Sequence, residues 1–439
     1  MQRREMIKTS LATFLSLSLF IDADDKKLKE NKDKKSKKKH IKNPHIVVVG
    51  GGWSGLSCAK QLKHYMPDAK VTLVEKRYEF VSCPVSNAWL FDMVSMDYLT
   101  HSYIDAANHF GYDYFQATAI GLDAKKEILH TTEGDLEYDY LVFATGIEYD
   151  YYNWSHGDKA FESKLSREYP AAFIAGSEHI TLKNKIKNFK GGNFVITVPS
   201  GNYRCLPAPY ERACLLADYM KKHKIKGKVL ILDANNTVTI KEDGFLSAFK
   251  ELHKEHLVYM PETEIEAIDF DKKVITTGFD DIAFEEMSFY PNVRAPKLLE
   301  KLHLTTKTPY NRIEANLDVF TNRFKGHTNI FGCGDLRPMG FSKSGNTAYT
   351  EGSNVARMVA EDYYKKKIKW ESPTTFCLSL VSMNPQREIS LISTYKYDSK
   401  GATLFDSVTT DENWKSNNLG KVKAQFSWAQ AMFDNMFYA

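Results

Sequence analysis

Three stretches predict an α/β chain of two Rossmann-like domains, the second inserted in the first, plus a small C-terminal α+β domain. The first stretch is "HIVVVGGGWSGLSCAKQL" at 45–62, an apolar strand, a glycine turn and a helix. The second is a pair, "YDYLVFATGIEYD" and "TNIFGCGDLRP", two later strands that run into glycine turns. The third is "GGNFVITVP" and "KVLILDAN", apolar strands separated by the helical "YERACLLADYMKKHK". A chain of 439 residues has room for this division. The expected limits are 44–156 and 298–366 for the first domain, 157–297 for the insert and 367–439 for the C-terminal domain.

Two segments precede the first strand. "MQRREMIKTSLATFLSLSLFIDA", 1–23, has a basic start and an apolar run from Leu11 to Ile21 that is short for a membrane span. Arg3-Arg4 followed by Glu5, Met6, Ile7 and Lys8 fits a twin-arginine signal, so export to the periplasm is expected. No clean small-x-small site follows, and an uncleaved anchor stays open as an alternative. Residues 24–43 read as a solvated lysine-rich tether. Between Asp25 and Lys42 lie ten lysines and three acids, a charge of +7 out of a formal total of +4, so the rest of the chain is mildly acidic at −3. A body of that sign argues against nucleic-acid binding. Nothing past residue 21 has the length of a membrane span, so at most peripheral membrane contact is expected.

The glycine turn after the first strand carries Gly50, Gly52 and Gly55 at GxGxxG spacing. The first permits a tight turn, the second lets the backbone approach a pyrophosphate, and the third lets the helix pack on the strand. "KVTLVEK" is the next strand. It ends in Glu75, about twenty residues on, where a carboxylate accepts hydrogen bonds from an adenosine ribose. The later turns identify the dinucleotide as FAD rather than NAD. Ala144-Thr145-Gly146 closes one strand and Gly334-Asp335 closes the other, with Asp335 expected at the ribityl-phosphate region. The helix after "SKSGNTAYTEG" should aim its N-terminus at the flavin ring, where its dipole stabilises negative charge, and Gly345 in that stretch is a cofactor-binding candidate.

The insert repeats the strand-turn-helix order but not the glycine fingerprint. Its turn is "SGNYRCLPAP", in which Pro207 and Pro209 remove two amide donors and side chains fill the phosphate's space. A nucleotide site is therefore not expected there, nor NAD(P)H as the electron donor. The six cysteines, 58, 83, 205, 214, 333 and 377, show no metal-binding spacing, and no metal is expected. Cys58, Cys214 and Cys333 read as small buried hydrophobes. Cys205 lies at a strand-to-helix turn, where a helix N-terminus is expected to lower a thiol pKa. No Cys-x-x-Cys-His occurs, so no haem is expected in this chain.

"GNYRCLPAPYERA", "FVSCPVSNAWL", "KSGNTAYTEG" and "ESPTTFCLSL" together resemble the flavoprotein subunit of flavocytochrome c sulfide dehydrogenase. That subunit falls in the sulfide:quinone reductase-like group of two-dinucleotide-domain flavoproteins. The resemblance runs from residue 44 to the end and includes the aromatic segment "SWAQAMFDNMFYA". It implies a redox-active disulfide between Cys205 and Cys377 beside the flavin, a catalytic role for Glu211, and covalent FAD on Cys83. It also implies sulfide as substrate and a c-type cytochrome subunit as acceptor. Trp53 and Ser54 in the glycine turn and the lysine tether depart from the family pattern. Two alternatives stay open: a sulfide:quinone oxidoreductase, and a non-catalytic flavoprotein partner of sulfur-oxidising enzymes.

Overall fold

The computed structural model describes residues 42–438 apart from 202, 309–311, 339, 400 and 417–423. The expected signal segment, and the lysine-rich stretch up to residue 41, lie outside the described residues. Strand β1 (His45–Val49) is a β-branched run whose last four residues are buried, as suits a central parallel strand covered on both faces. Helix α1 (Trp53–Tyr65) follows, then β2 (Lys70–Glu75), β3 (Asp113–Gln116) and β4 (Tyr140–Phe143).

The insert supplies β5 (Gly191–Val198), α2 (Ala208–His223), β6 (Lys226–Asp233), β7 (Leu257–Met260) and β8 (Glu286–Ser288). The chain then returns to the first domain with β9 (Ile330–Gly332) and α3 (Gly345–Tyr363). The C-terminal domain is β10 (Thr375–Met383), β11 (Gln386–Tyr397), β12 (Thr403–Asp411) and α4 (Ala424–Phe433).

The first sheet has the order β9–β4–β1–β2–β3, and every pair is parallel. Strand order reverses between β1 and β4, which opens a crevice beyond their carboxyl ends. The glycine turn and the Ala144–Gly146 turn both fall at that crevice. Gly50 has φ +108, a conformation L side chains rarely adopt, and an added Cβ would lie 2.5 Å from the Ala144 carbonyl oxygen. A Cβ on Gly55 would stand 1.8 Å from the Gly50 oxygen, so this glycine is what lets α1 close on β1. Helix α3 crosses α1 just as closely: a Cβ on Gly352 would be 2.2 Å from the Ser54 oxygen.

The insert's sheet, β7–β6–β5–β8, is also wholly parallel. The chain enters and leaves the insert along an antiparallel pair, Glu148–Asp150 with Asn292–Arg294. Strands β10–β11–β12 form an antiparallel meander. Its apolar residues Leu380, Val381 and Ile389 are fully buried in the same core as α2 residues Tyr210 and Leu215. That burial seats the C-terminal domain on the insert, directly over the turn that carries Cys205.

Candidate active site

Two cavities meet at the carboxyl end of the first sheet. The longer groove runs along Gly50, Gly52, Glu75, the Ala144-Thr145-Gly146 turn and Asp335. The second is lined by Cys83, Cys205, Glu211, Gly345, Cys377 and Trp428. Cys83 and Arg204 border both cavities, so the groove leads from the glycine turn to the cysteines. Every sequence-predicted site residue except Gly55 lines one of the two, and Gly55 makes the groove by its packing.

The fold implies FAD, and the groove fits it. Thr145 Oγ1 and Trp53 Nε1 are buried polar atoms without a hydrogen-bond partner, and both residues border the groove. Such orphans are costly unless a ligand satisfies them. An added Cβ on Gly52 or Gly146 would meet no protein atom within 4 Å, although both sit on the groove wall. Helix α1 has no acid in its first turn, which leaves its positive end open to a phosphate. Glu75 Oε2 accepts from the Gly51 amide at 2.7 Å and Oε1 from the Arg77 amide at 2.9 Å. A carboxylate oxygen with one donor retains capacity for a ribose hydroxyl. Asp335 is paired with Arg204 at 3.0 Å, and the Arg204 guanidinium also donates to the Phe173 carbonyl at 2.6 Å.

The four cysteine-cavity groups come from three parts of the chain, Cys205 and Glu211 sharing the insert's turn and the helix that follows it. Cys83 follows the short strand Glu79–Val81, and its thiol donates to the Phe173 carbonyl at 3.0 Å. Burial pushes that thiol up, and the nearby Arg204 charge opposes the shift. Cys205 has φ +55, and its amide donates to the Lys343 carbonyl at 2.9 Å, which ties the insert's turn to the loop before α3. Glu211 stands in the first turn of α2 and is buried. Its Oε1 accepts from the Leu380 amide at 2.8 Å and the Gln425 side chain at 3.2 Å, and its Oε2 accepts from Asn87 at 2.8 Å. Burial raises its carboxyl, and these hydrogen bonds pull it back. Cys377 arrives on β10.

One expectation needs correction. Burial, then the charges of Cys377 and Glu211, push the Cys205 thiol well above its ordinary range, so desolvation overrides the helix N-terminus. Cys205 and Cys377 line one cavity, both as free thiols. Cys58, Cys214 and Cys333 are fully buried, as expected. Trp53, a departure from the family pattern, stacks on Trp428 with ring centroids 5.7 Å apart and planes 1° from parallel. Sequence reasoning also missed Arg204, Asn87 and Gln425. Only Arg204 had a signal, its place immediately before Cys205.

In the insert, the β6 terminus carries Asp233 where a nucleotide-binding domain of this type would hold a ribose. That carboxylate is fully buried and accepts from Tyr210 at 2.6 Å, Tyr259 at 3.0 Å and the Asn235 amide at 2.9 Å. Among the described residues no cluster of His, Cys, Asp and Glu could hold a metal, and no helix is long and apolar enough to cross a membrane.

Comparison with known proteins agrees with this architecture. Residues 44–172 match the pyridine nucleotide-disulphide oxidoreductase family. Residues 180–288 match the central region of the sulfide dehydrogenase [flavocytochrome c] flavoprotein chain. The sulfide-quinone reductase of Aquifex aeolicus is 24% identical over 307 residues, which span 66% of this chain and 67% of that one. A sulfide dehydrogenase [flavocytochrome c] flavoprotein chain of Chlorobaculum thiosulfatiphilum is 56% identical over 43 residues, 10% of this chain and 90% of that sequence. The solved sulfide:quinone oxidoreductase of Aquifex aeolicus superposes with a TM-score of 0.68 at 17% identity, covering 90% of this chain and 91% of that one. With its two parallel sheets, one carrying the glycine-turn groove and the other reduced to a cysteine turn, the chain belongs to the sulfide:quinone reductase-like superfamily of flavoproteins, which holds the flavocytochrome c sulfide dehydrogenase flavoprotein chains.

Proposed function

We propose that this chain is the flavoprotein subunit of a sulfide dehydrogenase of the flavocytochrome c type. One observation carries the reading: Cys83, the Cys205–Glu211 turn and Cys377, three segments distant in sequence, border one cavity at the end of the FAD groove. In the resting enzyme Cys205 and Cys377 form a disulfide. Sulfide, a soft nucleophile, attacks one of its sulfurs and leaves a persulfide and a thiolate. Glu211, buried beside them, holds or accepts a proton in the exchange. Trp428 and the aromatic wall around it keep water from the sulfurs. FAD, held along the groove and by a thioether to Cys83, supplies the step from two-electron to one-electron chemistry toward a c-type cytochrome partner. NAD(P)H is not the donor, a view supported by Pro207, Pro209 and the captured Asp233 in the insert. The expected twin-arginine signal supports a periplasmic location, where disulfides persist.

The deciding experiment is anaerobic addition of sulfide to the purified flavoprotein. Prompt bleaching of the flavin is expected. Cys205→Ser and Cys377→Ser should each abolish that bleaching while dithionite still reduces the flavin. A pair acting only as a structural staple would instead cost about 2–5 kcal/mol of stability and leave bleaching intact.

A quinone acceptor is the second reading, favoured by the long likeness to sulfide:quinone reductases. The C-terminal segment argues for the cytochrome, because Met436 is buried and Trp428 and Met432 pack on the core rather than forming an exposed apolar face. Sulfide-dependent reduction of cytochrome c against that of a soluble quinone separates the two. Failure of both, with bleaching absent, would favour a non-catalytic redox partner.

A further inference from the structure

Lys241 is a charged residue from the insert that touches Cys377 at the edge of the cysteine cavity. It is 3% exposed and sits in the left-handed region at φ +54, immediately before the helix Glu242–Glu251. Its carbonyl accepts from the Phe245 amide at 3.1 Å, and the adjoining Gly244 amide donates to Glu412 of the C-terminal domain at 2.8 Å. These contacts fix its backbone. Its Nζ donates to Ser379 Oγ at 2.6 Å, and lies 3.5 Å from the Cys377 carbonyl and 3.6 Å from Cys377 Sγ. The other cation at the cavity, Arg204, is already paired with Asp335. The two sulfurs are therefore unequal. Cys377 has an ammonium group within hydrogen-bond reach, whereas at Cys205 the charge of the Glu211 carboxylate disfavours a thiolate and outweighs the opposing charge of the ion-paired Arg204.

Resting on the reading of the chain as a sulfide dehydrogenase, we infer that Lys241 is a catalytic residue that holds the negative charge on Cys377 Sγ, so that sulfide attacks Cys205 and Cys377 is the sulfur that leaves. In that step HS⁻ forms a sulfur–sulfur bond to Cys205 Sγ while the Cys205–Cys377 bond breaks. The electron pair of the broken bond goes to Cys377 Sγ. The products are a Cys205 persulfide and a Cys377 thiolate, and no further oxidant or reductant is needed. A desolvated ammonium–sulfur hydrogen bond stabilises the departing charge more than a neutral one would.

The test uses the FAD-loaded protein and the variants Lys241→Met, of similar volume without charge, and Lys241→Arg. In the first arm the disulfide is reduced, iodoacetamide is added at a fixed neutral pH, and peptide mass spectrometry follows each cysteine. Alkylation of Cys377 should slow about ten- to a hundred-fold in Lys241→Met, the worth of a charge-assisted hydrogen bond. It should recover most of its rate in Lys241→Arg, with Cys205 unchanged. An unaltered flavin spectrum and melting temperature would set aside a merely structural role. In the second arm the oxidised protein receives one equivalent of sulfide anaerobically and is trapped with the same reagent, and the persulfide should be found on the Cys205 peptide. Equal Cys377 alkylation in parent and Lys241→Met, or a persulfide on Cys377, overturns the inference. If sulfide leaves the parent's flavin unbleached while Cys377 alkylation still slows in Lys241→Met, the sulfide reading fails. Lys241 then stands as the thiolate-holding residue for another sulfur nucleophile.

Discussion

Two buried carboxylates share one glutamine at the floor of the cysteine cavity. The Gln425 side chain donates to Glu211 at 3.2 Å, and its backbone amide donates to Glu388 at 3.1 Å. Burial, assisted by the charge of Glu211, pushes the Glu388 carboxyl up to about 7 from an ordinary value of 4.5. Between those values the folded protein keeps a proton that the unfolded chain releases. Stability from this group is thus full below about pH 4.5, falls as pH rises, and is flat above about 7, a loss of roughly 3 kcal/mol at most. Glu178, half-buried and accepting from the Tyr149 hydroxyl, shifts in the same window and adds its own slope. Glu388→Gln should therefore flatten the decline of melting temperature between pH 4.5 and 7.5 without removing it. Parallel curves for parent and variant would refute this. For Glu211→Gln, flavin reduction by sulfide should slow by about two to four orders of magnitude, the scale of a lost proton-transfer group, and not stop. Cys83→Ser should turn flavin that stays with acid-precipitated protein into flavin that appears in the supernatant. Flavin released from the parent itself would exclude the thioether.

At the scale of elements, the C-terminal helix α4 lines the cysteine cavity through Gln425 and Trp428, and the last turn Asp434–Tyr438 continues from it. His101 lies under that turn, with ring centroids 4.4 Å from Phe433 and 4.6 Å from Phe437 and its Nδ1 3.1 Å from the Tyr438 hydroxyl. Burial lowers its pKa to about 4, and the charge of Asp434 only partly offsets this. A histidine buried neutral stabilises the closed tail above about pH 6.5 and loses that contribution as pH falls toward 4. The tail should therefore open in mild acid before the domains unfold. Hydrogen exchange across 424–438 should accelerate below about pH 5 in the parent and remain slow in His101→Phe. The Trp53–Trp428 stack, worth about 0.5–1.5 kcal/mol beyond its buried area, should be lost in the same step.

Over the whole molecule, the two parallel sheets share a core strand order and differ in fate. In the first, the reversal point is open and lined by glycines. In the second, the corresponding turn holds prolines and Cys205, and Asp233 is satisfied by two tyrosines. Anaerobic NADH or NADPH should accordingly leave the flavin oxidised under conditions where sulfide bleaches it. Bleaching by either would show that the insert retains a working nucleotide site. The C-terminal domain contributes through β10, which brings Cys377 and Ser379 over the insert, where they meet Glu211 and Lys241.

The FAD groove was legible because its determinants are local. Gly50, Gly52, Gly55 and Glu75 act through turns and strand ends encoded within about thirty residues, so spacing alone carries their geometry. Family resemblance marked Cys205, Cys377, Glu211 and Cys83, and the fold then placed them on one cavity. Only the tertiary structure decided how those groups are tuned. Lys241 meets Cys377 across 136 residues, and Gln425 meets Glu211 across 214. No spacing rule links positions that far apart. The Cys205 thiol shows the same division of labour. Its place before a helix predicted a lowered pKa, yet the C-terminal domain buries that turn, and desolvation is a property of the assembled protein rather than of any segment.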